Sequence, residues 1–189
     1  MPTQIRNVKI ISNKLKERIL RHNIDFVPGV NLLIGPNGSG KSSLLSQIKK
    51  SERRSEGDVV IKADAGVFMA FDFEKDNTRT KHPNLLPSSM YEVGIVTRFI
   101  SHGETVKMVL ENLTSEDAVG KMLLLDEPEQ ALDVDGLLTL VDQLRNTTAN
   151  QVIVATHSPT LILQPEFNVI ELVEGYRQKI RDHVASLIK

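Results

Sequence analysis

The sequence has no cysteine and no tryptophan, and aromatic residues make up only 4% of its 189 positions. Without thiols there can be no disulfide and no thiolate metal site, which closes zinc-finger and dithiol-redox chemistry. No apolar run approaches the roughly 18–20 residues needed to cross a bilayer, and the opening MPTQIRNVKI lacks the apolar core of a secretory leader. These absences point to an intracellular, cytoplasmic protein without membrane insertion. What is present is ordinary for a globular chain: 40% hydrophobic and 25% charged residues, in a length that suits one domain with a full core.

The net charge of −1 conceals an asymmetry. Residues 1–63 carry 12 Lys/Arg against 5 Asp/Glu, a net of +7, and the remaining residues carry 11 against 19, a net of −8. A basic N-terminal third can face nucleic acid or an acidic partner. It can equally be a solvated surface that balances the charge of a bound nucleotide.

Hydrophobic periodicity gives the elements. QIRNVKII (4–11) and RILRHNIDFV (18–27) read as alternating strands, and VNLLI (30–34) as a buried one. A helix is expected from Lys41 to about Lys50, then strands in VVIKA and GVFMAFDF. YEVGIVTRFI takes up helical spacing, and Ser101 with Glu104 forms a capping box for a helix running to about Asn112. KMLLLD (121–126) is a continuous apolar run, as in a central strand covered on both faces. The helix VDGLLTLVDQLRN, the strands QVIVAT and FNVIELV, and a helical GYRQKIRDHVASLIK follow. Alternating strands and helices predict an α/β domain with a mainly parallel central sheet and an N-terminal antiparallel β layer.

Residues Gly35-Pro36-Asn37-Gly38-Ser39-Gly40-Lys41-Ser42 satisfy G-x-x-x-x-G-K-[ST], with an apolar strand before and a helix after, and Ser43 follows. Glycines let successive N–H groups turn inward around phosphate oxygens, and the helix N-terminus adds partial positive charge. Lys41 is then suited to the β and γ phosphates of a nucleotide, and Ser42 to a Mg²⁺ ion.

MLLLDEPEQALD (122–133) sets Asp126 at the C-terminal end of a buried strand, where α/β sheets bind ligands. Asp126 there can hold Mg²⁺ through its water shell. The adjacent Glu127 can polarise an attacking water; the plainer reading is an acidic pair capping a helix. After QVIVA comes Thr156-His157-Ser158, and His157 there can report the γ-phosphate, although a lone histidine after a strand is most often a satisfied or surface residue. Ser101-His102-Gly103-Glu104 combines a hydroxyl, a glycine and a helix start, a second phosphate-facing surface. One chain cannot readily bring both ends to the same γ-phosphate, so Ser101 and Gly103 would act in trans, on nucleotide held by another copy.

With these residues in place, the chain resembles an ATP-binding cassette (ABC) ATPase from about Ile5 to Gly175. GPNGSGKSS is similar to the Walker A motif, LLLDEP to Walker B with its catalytic Glu127, and Ala131-Leu132-Asp133 to the D-loop, while His157 falls where the switch histidine does. SHGE resembles the family signature in its S-x-G-E form, as in structural-maintenance-of-chromosomes and recombination-repair ATPases and their small relatives. The resemblance implies one ABC-type nucleotide-binding domain over 1–189, with a reduced helical signature subdomain at about 77–115 and a C-terminal helix at about 175–189. It further implies ATP with Mg²⁺ as ligands, Lys41, Glu127 and His157 as the catalytic set, and a head-to-tail, ATP-dependent homodimer in which Asp133 borders the nucleotide.

Two departures bear on the branch. Transporter cassettes carry a glutamine at the end of the strand after the P-loop helix; here that strand ends FMAFDFEKDN, leaving Asp72 or Glu74 as candidates for its place. Only 60 residues separate Lys41 from Ser101, too few for long coiled-coil arms or a full transporter-type helical subdomain. Phe26 can stack on adenine or belong to the core, and Lys49, Lys50, Arg53 and Arg54 can contact DNA or simply suit a helix C-terminus. The expected function is thus a stand-alone ATPase driving a DNA-maintenance or defence-type partner, such as a separate nuclease or effector. The alternative is the ATP-binding subunit of a membrane transporter, which the missing glutamine and short insert disfavour.

Overall fold

The computed structural model describes residues 4–51, 59–64, 68–72, 112–130 and 132–188. Eight strands in these residues form two sheets. The first is antiparallel, in the order β2 (Asn23–Asp25), β1 (Gln4–Ile10), β4 (Val59–Asp64). The second has five strands, in the order β5 (Phe68–Asp72), β6 (Met122–Asp126), β7 (Gln151–Ala155), β3 (Gly29–Ile34), β8 (Asn168–Glu171), and every neighbouring pair in it is parallel. This is the expected α/β architecture with its antiparallel N-terminal layer.

Helix α1 (Asn13–Lys16) follows β1, α2 (Lys41–Ser51) follows β3, and α3 (Val134–Arg145) precedes β7. Helix α4 (Pro159–Ile162) and α5 (Tyr176–Leu187) flank β8. The central strands alternate their side chains between two cores, as a strand must. Leu32, Ile34, Leu123, Leu125, Val152 and Val154 pack with Leu140, Val141 and Leu144 of α3. Leu33, Leu124, Ile153 and Ala155 pack the other way, with Leu44, Leu45 and Ile48 of α2 and with Ile5, Val8 and Ile24 of the antiparallel sheet. Burial on both faces explains why β6 and β7 carry the apolar runs MLLL and VIVA. Phe26 is buried in the second core, so its role is packing.

One polar residue joins the two sheets. Gln151, fully buried on β7, accepts from the Ile5 N–H (2.8 Å) and donates to the carbonyls of Ile5 (2.9 Å) and Val27 (2.8 Å). Its amide thereby holds β1 and the entry to β3 against the parallel sheet.

One expectation needs revision. The strand expected over 18–27 is only Asn23–Asp25, because residues 18–21 instead wrap the phosphate loop: the Arg18 carbonyl and Ile19 lie against Gly40, and the Leu20 N–H donates to the Ser39 carbonyl. The helix expected from Ser101 to about Asn112, like nearly all of the 77–115 segment, lies outside the described residues, which resume with 3-10 turns at Asn112–Thr114 and Glu116–Ala118.

Candidate functional site

The site is assembled at the C-terminal ends of β3, β6 and β7. Register brings them level: Leu33 pairs with Ala155, and Asp126 pairs with Ala155 on the other side. The main chain stitches the loops that follow. Thr156 N–H donates to Leu33 O (3.2 Å), Glu127 N–H to Ala155 O (2.9 Å), and Leu172 N–H to Ile34 O (2.8 Å). The P-loop, the DE pair and the histidine turn therefore open at one edge, where parallel sheets bind ligands.

The P-loop spans the gap between Ile34 and Lys41. Gly38 and Gly40 take positive φ angles of 80° and 96°, a conformation that side chains strongly disfavour. At Gly40 there is also no room: a Cβ would stand 2.4 Å from the Arg18 carbonyl oxygen and 2.7 Å from the Ile19 Cα. Lys41 is buried, and its ammonium donates to the carbonyls of Gly35 (3.0 Å) and Pro36 (3.3 Å). Burial pulls the Lys41 pKa below its ordinary value, against Glu127, Asp126 and Glu129, whose negative charges act the other way.

Ser42 Oγ donates to Asp126 Oδ1 at 3.0 Å, uniting P-loop helix and strand β6 in one oxygen pair. Among the described residues no group of three or more His, Asp or Glu could hold a metal ion. A single hydroxyl–carboxylate pair still fits Mg²⁺, which keeps several waters and takes its remaining ligands from phosphate.

Glu127 has φ of +51°, the one non-glycine residue with positive φ among those described. A residue held in this region costs on the order of 1–2 kcal/mol and persists when its surroundings enforce it. Here the enforcing contacts are the Glu127 N–H on Ala155, the Gln130 N–H on the Glu127 carbonyl (3.1 Å), and the Gln130 side-chain amide, which donates to Glu127 Oε2. The carboxylate is thus turned toward β7, where its Oε1 lies 3.3 Å from His157 Nε2. Burial, followed by the Lys41 charge, holds His157 below its ordinary pKa, opposed by Glu127 and Glu129.

Of the remaining candidates, Asp133 caps α3 by accepting from Gly136 N–H at 2.8 Å. Asp72 is in register with Asp126 on the neighbouring strand. Ser101, Gly103, Glu74, Ala131, Arg53 and Arg54 lie outside the described residues. One residue escaped the sequence reading. Glu129 Oε1 accepts from Thr156 Oγ1 (2.6 Å), His157 N–H (2.8 Å) and Ser158 N–H (3.2 Å). The signal was the third acid of DEPEQ, overshadowed by the DE pair just before it.

Comparison with known proteins bears on the fold and on two segments of the chain. A family model described as "AAA domain, putative AbiEii toxin, Type IV TA system" matches residues 112–163, and one described as "AAA domain" matches residues 4–50. The chain is similar to the erythromycin resistance ATP-binding protein MsrA of Staphylococcus epidermidis, with 31% identity over 132 residues. That match covers 70% of this chain and 26% of MsrA, so the chain spans about a quarter of that relative's length. Its fold is similar to the solved structure of a "putative Cobalt transport ATP-binding protein (cbiO-2)", with a TM-score of 0.52 and 18% identity over 90% of this chain and 76% of that one. The chain has the fold of an ABC-type P-loop nucleotide-binding domain.

Proposed function

We propose that the domain binds ATP with Mg²⁺ and hydrolyses it between two copies of the chain arranged head to tail. The observation that carries this reading is the convergence of Lys41, the Ser42–Asp126 pair, Glu127 and His157 on one sheet edge. Lys41 and the P-loop amides would grip the β and γ phosphates. Ser42 and Asp126 would hold the magnesium, which supplies charge neutralisation on the phosphates when bound. Glu127 would take the proton of the attacking water, and His157 would face the γ-phosphate while holding Glu127 in place. Ser101 and Gly103 of the opposing copy would close the site, with Asp133 at the turn beside it.

The work done by the cycle is proposed to be that of a DNA-maintenance or defence-type partner. The S-x-G-E sequence, the basic N-terminal third and the toxin–antitoxin description of the family model matching residues 112–163 all support it. Both the MsrA likeness and the cobalt-transport fold likeness are to ATP-binding proteins, and they are equally consistent with the ATP-hydrolysing core of the proposal.

Light scattering tests the pairing. Glu127→Gln with ATP and Mg²⁺ is expected to shift from the 21.1 kDa mass of the chain to twice that mass, and EDTA is expected to reverse the shift. Adding Ser101→Arg should keep it single while sparing nucleotide binding. Mass unaffected by ATP in the Glu127→Gln protein contradicts the pairing.

A further inference from the structure

Beyond the ATP site itself, the two turns that flank it are joined by a side chain that none of the proposed catalytic steps employs. We propose that Glu129 is a positioning residue that clamps the histidine turn to the turn after β6, so that His157 and Glu127 are held as one unit. The inference rests on the reading of His157 and Glu127 as partners in ATP hydrolysis.

The clamp is built from one oxygen. Glu129 Oε1 receives the Thr156 hydroxyl and two successive backbone N–H groups, those of His157 and Ser158. Ser158 N–H also donates to Thr156 Oγ1 at 3.0 Å, so the three donors are bound to each other as well as to the acid. Successive N–H groups converging on an anion form a nest, and charge-assisted bonds of this kind are about twice as strong as neutral ones. Thr156 is fully buried and Ser158 nearly so, which removes water as a competing partner. The other oxygen, Oε2, is buried and makes no hydrogen bond among the described residues.

The alternative donors of support for the turn are few. β7 ends at Ala155, and its ladder to β3 and β6 ends there too. Thr156 N–H still reaches Leu33, but the N–H groups of His157 and Ser158 find their acceptors in Glu129 and Thr156 side chains. Without the Glu129 oxygen, the His157 backbone is anchored through its neighbours alone. Glu129 is itself placed by the turn that sets Glu127: Glu127 N–H is bonded to Ala155, and Leu132 N–H to the Glu129 carbonyl (3.2 Å). The turns are thus stitched twice, by main chain at Glu127 and by side chain at Glu129, and the 3.3 Å contact between His157 and Glu127 lies between the stitches.

The test uses the full chain with Glu129→Ala and Glu129→Gln, read by amide hydrogen exchange and by ATPase kinetics. In Glu129→Ala, exchange at His157 and Ser158 is expected to accelerate at least about tenfold, as the loss of a charge-assisted bond implies. Exchange in helix α2 should be unchanged. In the same protein kcat is expected to fall about 10–100-fold, as a misplaced group does, with KM for ATP within about threefold of wild type. Glu129→Gln keeps an acceptor oxygen and is expected to restore slow exchange and most of kcat. Wild-type exchange at residues 157 and 158 in Glu129→Ala overturns the clamp, as does a Gln variant that exchanges as fast as the Ala variant. Should Glu129→Ala fail to fold, Glu129→Asp decides: the charge stays but the stem is one carbon shorter, and unaltered exchange there overturns the clamp. A wild-type protein that hydrolyses no ATP would refute the proposed function while the exchange data still decide the role of Glu129.

Discussion

His157 Nε2 stands 3.3 Å from Glu127 Oε1, although the two residues come from turns after different strands and each side chain is about two-thirds or more shielded from solvent. Both groups face the edge that carries Lys41, so neither can be removed without disturbing the other. His157→Ala is expected to lower kcat about 100-fold, with a smaller change in KM for ATP. In a double-mutant cycle, Glu127→Gln with His157→Ala should lose little more than the worse single variant, because the pair acts as a unit. Steady-state kinetics on the four proteins checks this; multiplicative losses would mean that the two residues work independently.

The direction of the His157 shift sets a pH dependence. Its folded pKa lies below the ordinary 6.5, so the unfolded chain binds the proton more readily than the fold does. The corresponding stability is present above the unfolded value and is lost as pH falls from there through the lower, folded one. Compared with His157→Gln, the wild-type protein is therefore expected to lose more melting temperature on acidification from pH 7 to pH 5. Paired thermal melts across that range read the difference directly, and parallel losses in the two proteins would contradict it.

Two glycines of the P-loop separate backbone conformation from space. Gly38 has φ of +80° with nothing within 4 Å of a Cβ position, whereas Gly40 has φ of +96° with the Arg18 carbonyl 2.4 Å away. Gly38→Ala is expected to cost only the conformational penalty, about 1–2 kcal/mol. Gly40→Ala pays that penalty and must also push the 18–19 backbone away, so it should unfold at clearly lower urea and weaken nucleotide binding. Urea titrations of the two variants give the comparison; equal midpoints would show that the 18–19 segment yields freely.

Gln151 links the sheets through three hydrogen bonds of 2.8–2.9 Å from a fully buried amide. Gln151→Leu matches its bulk but strips the partners of the Ile5 N–H and carbonyl, while the Val27 carbonyl keeps Asn31 Nδ2 at 2.7 Å. Each buried group left unpaired costs about 1–3 kcal/mol, and a total loss of about 3 kcal/mol is expected by chemical denaturation. Far smaller loss would mean that water or a shifted strand replaces the amide.

Most of the fold is legible in the sequence because the central strands are covered on both faces. LLI (32–34), MLLL (122–125) and VIVA (152–155) are continuous apolar runs for that reason, and the structure buries them. The P-loop and the acidic pair were legible too, since their chemistry demands fixed residue types in adjacent positions. The limits arise where structure depends on distant approach. RILRHNIDFV alternates like a strand, yet residues 18–21 are drawn over Gly40, and Ile19 is buried there while Leu20 is 54% exposed. No local pattern announces that contact. Glu129 is hidden for the same reason: its partners lie 27–29 residues on, and only the register of β6 with β7 brings them within reach.

In the proposed function, the groups gathered at the ends of β3, β6 and β7 hydrolyse ATP, with Glu127 as the base. Phosphate release by purified wild-type and Glu127→Gln proteins, with ATP and Mg²⁺ and with nucleotide binding measured in the same samples, tests it most directly. Turnover is expected in the wild type, and a loss of about 10²–10⁴-fold in the variant, with ATP still bound. Turnover by Glu127→Gln at the wild-type rate would contradict it.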